Sequence, residues 1–301
     1  MHTIRLGTFS PSVLLEVATV TGTLAAAGLA VAETPVRTSA QQFTDLFDGR
    51  LDAAFTNPDN VLAYRCVPTN PLGRTGDVRI LGAVDRGLGL ALFTGTSGLG
   101  AVRDGTFGVD VPGSGFAFIG YELLARAGLR RDVDYRVEAL GATPRRARAL
   151  IDGTIDATVL NAGNDLLASD SGAQRVASVT AIGPYVGTVL AATGDSLDRH
   201  GDRIRTLLDV VSATARDIVA GRHAEAALAA VERRLGLTGA TAARHLETLA
   251  DPQQGLVTDA RLTQADLSTV IDLRNRHVPG ATALTVAGVL ASGLVDAPWE
   301  L

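Results

Sequence analysis

The sequence predicts an α/β protein built from two similar lobes in tandem, and three observations predict it. A segment occurs twice: LFDGRLDAAFTNPDNVL at 46–62 and LIDGTIDATVLNAGNDL at 150–166 share Leu46/Leu150, Asp48/Asp152, Gly49/Gly153, Asp52/Asp156, Ala53/Ala157, Asn57/Asn161, Asn60/Asn164 and Leu62/Leu166. Upstream, LAAAGL at 24–29 matches LARAGL at 124–129. In both halves short apolar runs alternate with helix-length segments, the order expected of parallel βαβ units with right-handed crossovers. Internal similarity at a long period means a repeated structural unit. A ligand held between two related lobes is a natural reason to build one.

Ile4–Phe9 opens the first copy as a strand entering the polar turn Ser10-Pro11-Ser12. Val13–Ala32 is mostly apolar and ends Ala30-Val31-Ala32, like a signal-peptidase site, but Glu16 lies inside it and only Arg5 precedes it. The same stretch aligns with the interior helix and turn at 117–129, so it reads as a core helix. Its Thr, Gly and Glu interruptions also argue against a transmembrane span. Ala27-Gly28-Leu29 turns into a strand that ends near Thr38-Ser39. Leu46–Leu62 then reads as a helix end, a tight Asp-Gly turn, a buried strand and a polar loop opening on Asn57. Asp48/Asp152 and Asp52/Asp156 flank that turn at the far end of the strand and are structural.

The second copy begins with the strand Phe107–Pro112, followed by Gly113-Ser114-Gly115 opening a helix. Its longer connection, Arg130–Asp134, accounts for the growth of the repeat offset from 100 to 104. After Asp195 the apolar residues take helical spacing over Arg203–Ala220, Ala224–Leu235, Ala240–Leu249, Gln264–Asn275 and Leu284–Ser292. Gly221, Gly236, Gly239 and Pro279-Gly280 serve as stops. These helices are expected to cover the outer face of the first lobe, with Arg244, His245 and Glu247 facing solvent.

Composition narrows the function classes. The chain has 301 residues, 46% hydrophobic and 20% charged, enough for one large core or two moderate ones. A formal charge of −5, with arginine supplying every one of the 27 basic residues, gives no basic face for nucleic acid. The single cysteine, Cys66, excludes an internal disulfide and any cysteine-based zinc cluster. No metal and no cofactor are expected. As written, the chain carries no export signal and reads as cytoplasmic, unless a leader once preceded Met1.

The run Leu46–Asn60, the turn Ala27-Gly28-Leu29 and Val111-Pro112-Gly113-Ser114-Gly115 opening a helix resemble the type II periplasmic binding-protein fold. The resemblance covers about residues 4–277 and is greatest to substrate-binding proteins of sulfonate, nitrate and taurine importers and their thiamine-pyrimidine-synthase-like relatives. It implies two α/β lobes joined by two crossing hinge strands, closing on a small molecule, with the C-terminal helices as an addition. The crossings fall at Val78–Thr94 and at Val176–Thr193, which contains Gly183-Pro184-Tyr185. The first lobe is then 1–85 plus 190–301, and the second 90–186. The pyrimidine-synthase relatives carry a cysteine-rich iron site and an active-site histidine; one cysteine does not support that activity here.

In open α/β sheets ligands bind beyond the carboxyl ends of the strands. Those ends fall at Phe9-Ser10-Pro11-Ser12, Thr38-Ser39, Thr56-Asn57, Pro112–Gly115, Ala142-Thr143-Pro144 and Leu160-Asn161. Ser10 before Pro11 and Thr143 before Pro144 match an N-cap followed by proline at the first helical position. Free backbone N–H groups there attract carboxylates, sulfonates or phosphates, and Gly113 and Gly115 let the backbone come close to a ligand. The expected ligand-binding set is Phe9, Ser10, Ser39, Asn57, Asn60, Ser114, Gly115, Phe116, Asn161 and Tyr185. Phe9, Phe116 and Tyr185 would form an aromatic wall against a planar body, or else fill the cores; Phe55 is a core residue. The recurring Asn57/Asn161 and Asn60/Asn164 either hold ligand or bond their own backbone in a turn. Arg37, Arg145 and Arg146 lie near these loops and could pair with an acid.

No HExxH, GxSxG, P-loop or CxxC occurs. His2, His200, His223, His245 and His277 are scattered. Asp59, Asp110, Asp165 and Tyr185 lie near strand ends, without a visible partner that would tune them for acid–base work. Two functions follow. One is a monomeric binding protein for an anionic or planar polar small molecule, partnered by an importer permease if exported. The other is a cytoplasmic biosynthetic enzyme on the same scaffold.

Overall fold

The computed structural model describes residues 2–278 and 282–296. The stop expected at Pro279-Gly280 and the chain after 296 lie outside the described residues. In the first lobe β1 (His2–Thr8) runs parallel to and between β2 (Leu29–Pro35) and β3 (Ala53–Thr56). The connections are α1 (Val13–Val20), α2 (Thr23–Ala26) and α3 (Ser39–Phe47). The second lobe repeats this plan: β6 (Gly105–Val109) lies between β7 (Tyr135–Ala139) and β8 (Ala157–Leu160), connected through α5 (Gly115–Arg126) and α6 (Thr143–Ile151). Helices α4 (Pro58–Cys66) and α7 (Asn164–Asp170) follow β3 and β8.

The remaining strands come from the crossings. β4 (Val78–Asp85) closes the first sheet, and the chain then passes through 86–90 into β5 (Ala91–Thr94) of the second. β9 (Gln174–Ser178) closes the second sheet, and the return leads into β10 (Thr188–Thr193) of the first. The strand orders are β2-β1-β3-β10-β4 and β7-β6-β8-β5-β9. In each sheet the strand entering from the other lobe, β10 or β5, runs antiparallel to both neighbours. The parallel expectation therefore fails at that one strand. A short apolar run buried on both faces reveals a strand but not its direction.

The repeated segment performs the same backbone task twice. Gly49 and Gly153 both adopt φ of 69°, a left-handed turn that a side chain would strain. Asp52 then accepts from the Arg5 amide at 2.8 Å and Asp156 from the Thr106 amide at 2.7 Å, tying each turn to its central strand.

The C-terminal helices are α8 (Gly194–Val219), α9 (Ala224–Leu235), α10 (Gly239–Ala250), α11 (Gln264–His277) and α12 (Val286–Ala291). Helix α8 buries Ile204, Leu207, Val211 and Ala215 in one cluster with Leu190 and Phe55, and α9 adds Ala227 and Val231. At roughly 25 cal/mol per Å² of apolar area, this stripe is what keeps the helix on the sheet. Helices α10 and α11 depart from the expectation that all five cover the first lobe. Arg244 on α10 pairs with Asp170 of α7. Val270 and Leu273 of α11 enter the second lobe's core beside Phe118 and Tyr121. These two helices straddle both lobes, because an apolar face can be shared between two neighbours and its spacing does not name them.

Candidate functional site

A cavity of about 1050 Å³, mouth included, lies between the sheets beyond the carboxyl ends of β1, β3, β6 and β8. Strand geometry places the groups that line it. The first lobe contributes Thr8, Phe9 and Ser10 after β1 and Thr56, Asn57 and Asn60 after β3. From the second come Asp110 after β6, Ser114, Gly115 and Phe116 at the start of α5, and Asn161 after β8. Asp85, Leu88 and Thr188 line it from the two crossings, and His245, Leu249 and Leu256 from the C-terminal region.

Of the expected ligand-binding set, Phe9, Ser10, Asn57, Asn60, Ser114, Gly115, Phe116 and Asn161 line this cavity, whereas Ser39 and Tyr185 do not. Ser39 is 2% exposed, and its hydroxyl meets the Tyr64 hydroxyl at 3.3 Å. Tyr185 is 3% exposed in the second lobe's core with Val270 and Leu273, and its hydroxyl accepts from Asn57 at 2.6 Å. The aromatic wall is thus reduced to Phe9 and Phe116, and Phe55, expected in the core, also faces the cavity.

Two of the expected caps shift register. Ser12, not Ser10, caps α1 and accepts from the Leu15 amide at 3.2 Å. Ala142 is the cap position of α6, so Thr143 is its first residue and Pro144 its second. Proline tolerates either of the first two helical positions, so the sequence left this ambiguous. Ser114 does cap α5, accepting from the Ala117 amide at 3.2 Å. Gly115 is required by a protein neighbour: a Cβ there would lie 2.5 Å from Asn57 Oδ1 and 2.7 Å from Asp59 Cβ. Around Gly113 there is open space.

The asparagines are hinge residues as well as cavity residues. Asn57 donates to the Gly187 carbonyl at 3.2 Å and to Tyr185, while its Oδ1 accepts from the Asp59 amide at 2.9 Å. Asn161 donates to the Gly87 carbonyl at 3.0 Å. Each therefore grips a glycine of a crossing segment. The crossings meet at those glycines, where a Cβ on Gly187 would lie 2.4 Å from Gly87 Cα. Asn60 donates to the Thr56 hydroxyl at 3.1 Å, and Asn164 to the Asn161 carbonyl at 3.2 Å.

Burial dominates the electrostatics. It pushes Asp85 up to about 6, against hydrogen bonds from Thr188 and the Gly87 amide. Asp110 is also raised by burial, opposed by the Arg146 charge and the Ser114 hydroxyl. Asp165 rises to about 6 for the same reason, although it accepts backbone amides. Arg146, 1% exposed, is lowered by burial and supported by Asp110. Arg37 and Arg145 are exposed. Asp59 is paired with Arg274 of α11 through two bonds, at 2.7 and 2.8 Å.

His245 overturns an expectation. It is 1% exposed and lines the cavity instead of facing solvent, and burial pushes its imidazole down to about 4. The signal was present: Ala242, His245 and Leu249 share one face of α10, and all three are buried. Asp85 and Thr188 were missed because the crossings read as connectors. Among the described residues no group of three His, Cys, Asp or Glu could hold a metal ion, and no helix is long and apolar enough to cross a membrane.

No protein-family model and no curated protein matches the chain. Solved structures do. The alkanesulfonate-binding protein SsuA from Xanthomonas axonopodis pv. citri, bound to MOPS, superposes with a TM-score of 0.70 at 15% identity, over 97% of this chain and 94% of that one. The periplasmic nitrate-binding protein NrtA from Synechocystis PCC 6803 gives 0.71 at 14% identity, over 97% and 85%. A conserved Candida albicans gene product, described as exhibiting the generic periplasmic binding protein structural fold, gives 0.72 at 15% identity, over 97% and 96%.

Proposed function

We propose that this chain, which has the periplasmic binding-protein fold, is a small-molecule binding protein that closes its two lobes over a ligand in the cavity between the sheets. The observation that carries the reading is where the cavity lies. Strand ends of both sheets and both crossings line it, so one ligand touches both lobes and the hinge at once. A ligand that contacts both lobes favours the closed arrangement by its differential affinity for it. SsuA and NrtA are named for the solutes they bind. By that analogy the reading extends to delivery of the bound molecule by a monomer to an importer permease. Fold likeness alone does not decide function, and the division into lobes 1–85 plus 190–301 and 90–186 belongs to the same proposal.

Native mass spectrometry of the purified chain, followed by denaturing release, is the test. A co-purified molecule of defined mass, and a smaller radius of gyration by X-ray scattering on adding it back, are the expected results. An empty protein whose melting temperature responds to no fraction of a metabolite extract would refute the reading.

A further inference from the structure

The cavity is short of available positive charge and supplied with unclaimed acceptors. Among the described residues Arg146 is the only arginine that lines it. Four of its five N–H groups are engaged and its charge faces Asp110: Nε donates to the Gly141 carbonyl at 3.1 Å, Nη1 to the Thr158 hydroxyl at 3.1 Å and the Val159 carbonyl, and Nη2, through one of its two N–H groups, to the Thr143 hydroxyl at 2.9 Å. At three of the helix starts that face the cavity, those of α1, α4 and α5, stands one of the protein's own carboxylates, which disfavours an anion there; the start of α6 has none. At the start of α1, Glu33 accepts from the Ser12 amide at 2.9 Å and from the Thr8 hydroxyl at 2.8 Å. At the start of α5, Asp110 accepts from Ser114. At the start of α4 stands Asp59, itself bound to Arg274.

Acceptors remain. Asn161 spends its amide nitrogen on Gly87, and its Oδ1 meets no donor among the described residues. Asp110 and Asn161 follow the ends of the neighbouring parallel strands β6 and β8, so both reach the cavity from one side. His245, buried at 1% exposure, has no hydrogen-bond partner among the described residues and also lines it. Much of the remaining wall is apolar, including Val13, Leu88, Phe116, Leu249 and Leu256. A buried carboxylate repels an anionic head and attracts a donor or cationic one.

We infer that the ligand is an apolar molecule bearing an N–H donor head, an amine or an N–H heterocycle, seated against Asp110 and Asn161, and that it is not an anion. This replaces the anionic solute expected from free helix ends, and it rests on the binding reading above.

The test is a matched series offered to the full chain and read by ligand-observed NMR: 2-phenylethylamine, indole, phenylacetate and 2-phenylethanesulfonate. The amine or indole is expected to bind at least tenfold more tightly than either anion. Asp110→Asn, checked for an unchanged melting profile, is expected to reduce amine affinity at least tenfold and indole affinity less; the wild-type series decides the matter if that variant does not fold. Equal or tighter binding of either anion, or release of an acid from the purified protein, overturns the inference and leaves the binding function standing. If none of the four binds at millimolar concentration and nothing is released, both fall.

Discussion

Asn57 and Asn161 occupy equivalent places in the repeat, and a ligand-binding role for both amides would predict equal effects of removing them: about 1–3 kcal/mol of affinity each and little stability. The structure predicts otherwise. Asn57 makes three internal hydrogen bonds, to Tyr185, Gly187 and the Asp59 amide, at 2.6, 3.2 and 2.9 Å. At about 1 kcal/mol net for each, Asn57→Ala costs about 3 kcal/mol, and it strands the buried Tyr185 hydroxyl besides. Asn161 makes one such bond, to Gly87, so Asn161→Ala costs about 1 kcal/mol. With an unfolding entropy of roughly 2.1 cal/mol/K per residue, a chain of this length has about 0.6 kcal/mol/K. The expected falls in melting temperature are therefore about 5 °C for Asn57→Ala and under about 2 °C for Asn161→Ala. Differential scanning calorimetry on the two variants measures them, with urea titration as a second probe. Ligand affinity should show the reverse order, because Asn161 still offers Oδ1 to the cavity. Equal melting shifts, or a shift below about 1 °C for Asn57→Ala, would refute the assignment of Asn57 to the hinge.

Because burial lifts Asp85 to about 6, its protonated form stabilises the fold fully below about pH 4, and that contribution is lost as pH rises through about 6. Asp85→Asn should then match the wild type near pH 4 and exceed it by about 3 kcal/mol above pH 7 in urea titrations. Arg274→Leu leaves Asp59 buried without its partner and should cost roughly 3–5 kcal/mol; adding Asp59→Asn should recover at least half, and no recovery would show that the pair is not what α11 contributes. Gly187→Ala drives a methyl group to 2.4 Å from Gly87 Cα and should destabilise by more than about 2 kcal/mol. Gly113→Ala, in open space, should change the melting temperature by less than about 1 °C.

The fold was legible because its units are written twice with their turn chemistry. Gly49 and Gly153 need the left-handed conformation, and Asp52 and Asp156 need a backbone amide to hold, so both residues recur at fixed spacing. The antiparallel course of β5 and β10 was not legible, since Ala91–Thr94 is buried on both faces and its pattern is the same read in either direction. His245 was misplaced because one face of α10 packs over the junction of two lobes, a tertiary fact that a stripe of Ala242, His245 and Leu249 does not state.

The repeat also explains why the site was harder to read than the fold. Pairing registers equate the copies: Leu6 lies opposite Ala53 as Phe107 lies opposite Ala157, and Gly7 corresponds to Gly108. Two residues further on, the first lobe presents Phe9 and the second Asp110, both at the cavity. Residues shared by the copies serve what both lobes need. Asn57 grips Gly187 and Asn161 grips Gly87, so the recurring amides hold the crossings together. A ligand that lies between two lobes meets them from opposite sides and does not itself have to be symmetric. On the proposed binding function, its selectivity would reside largely where the copies diverge, at Phe9 against Asp110, and in cavity residues with no counterpart, such as His245 and Leu249. Searching for repeated polar residues finds the hinge; on the proposed reading Asn161 adds its Oδ1 to the ligand site, and the positions where the repeat breaks supply the rest.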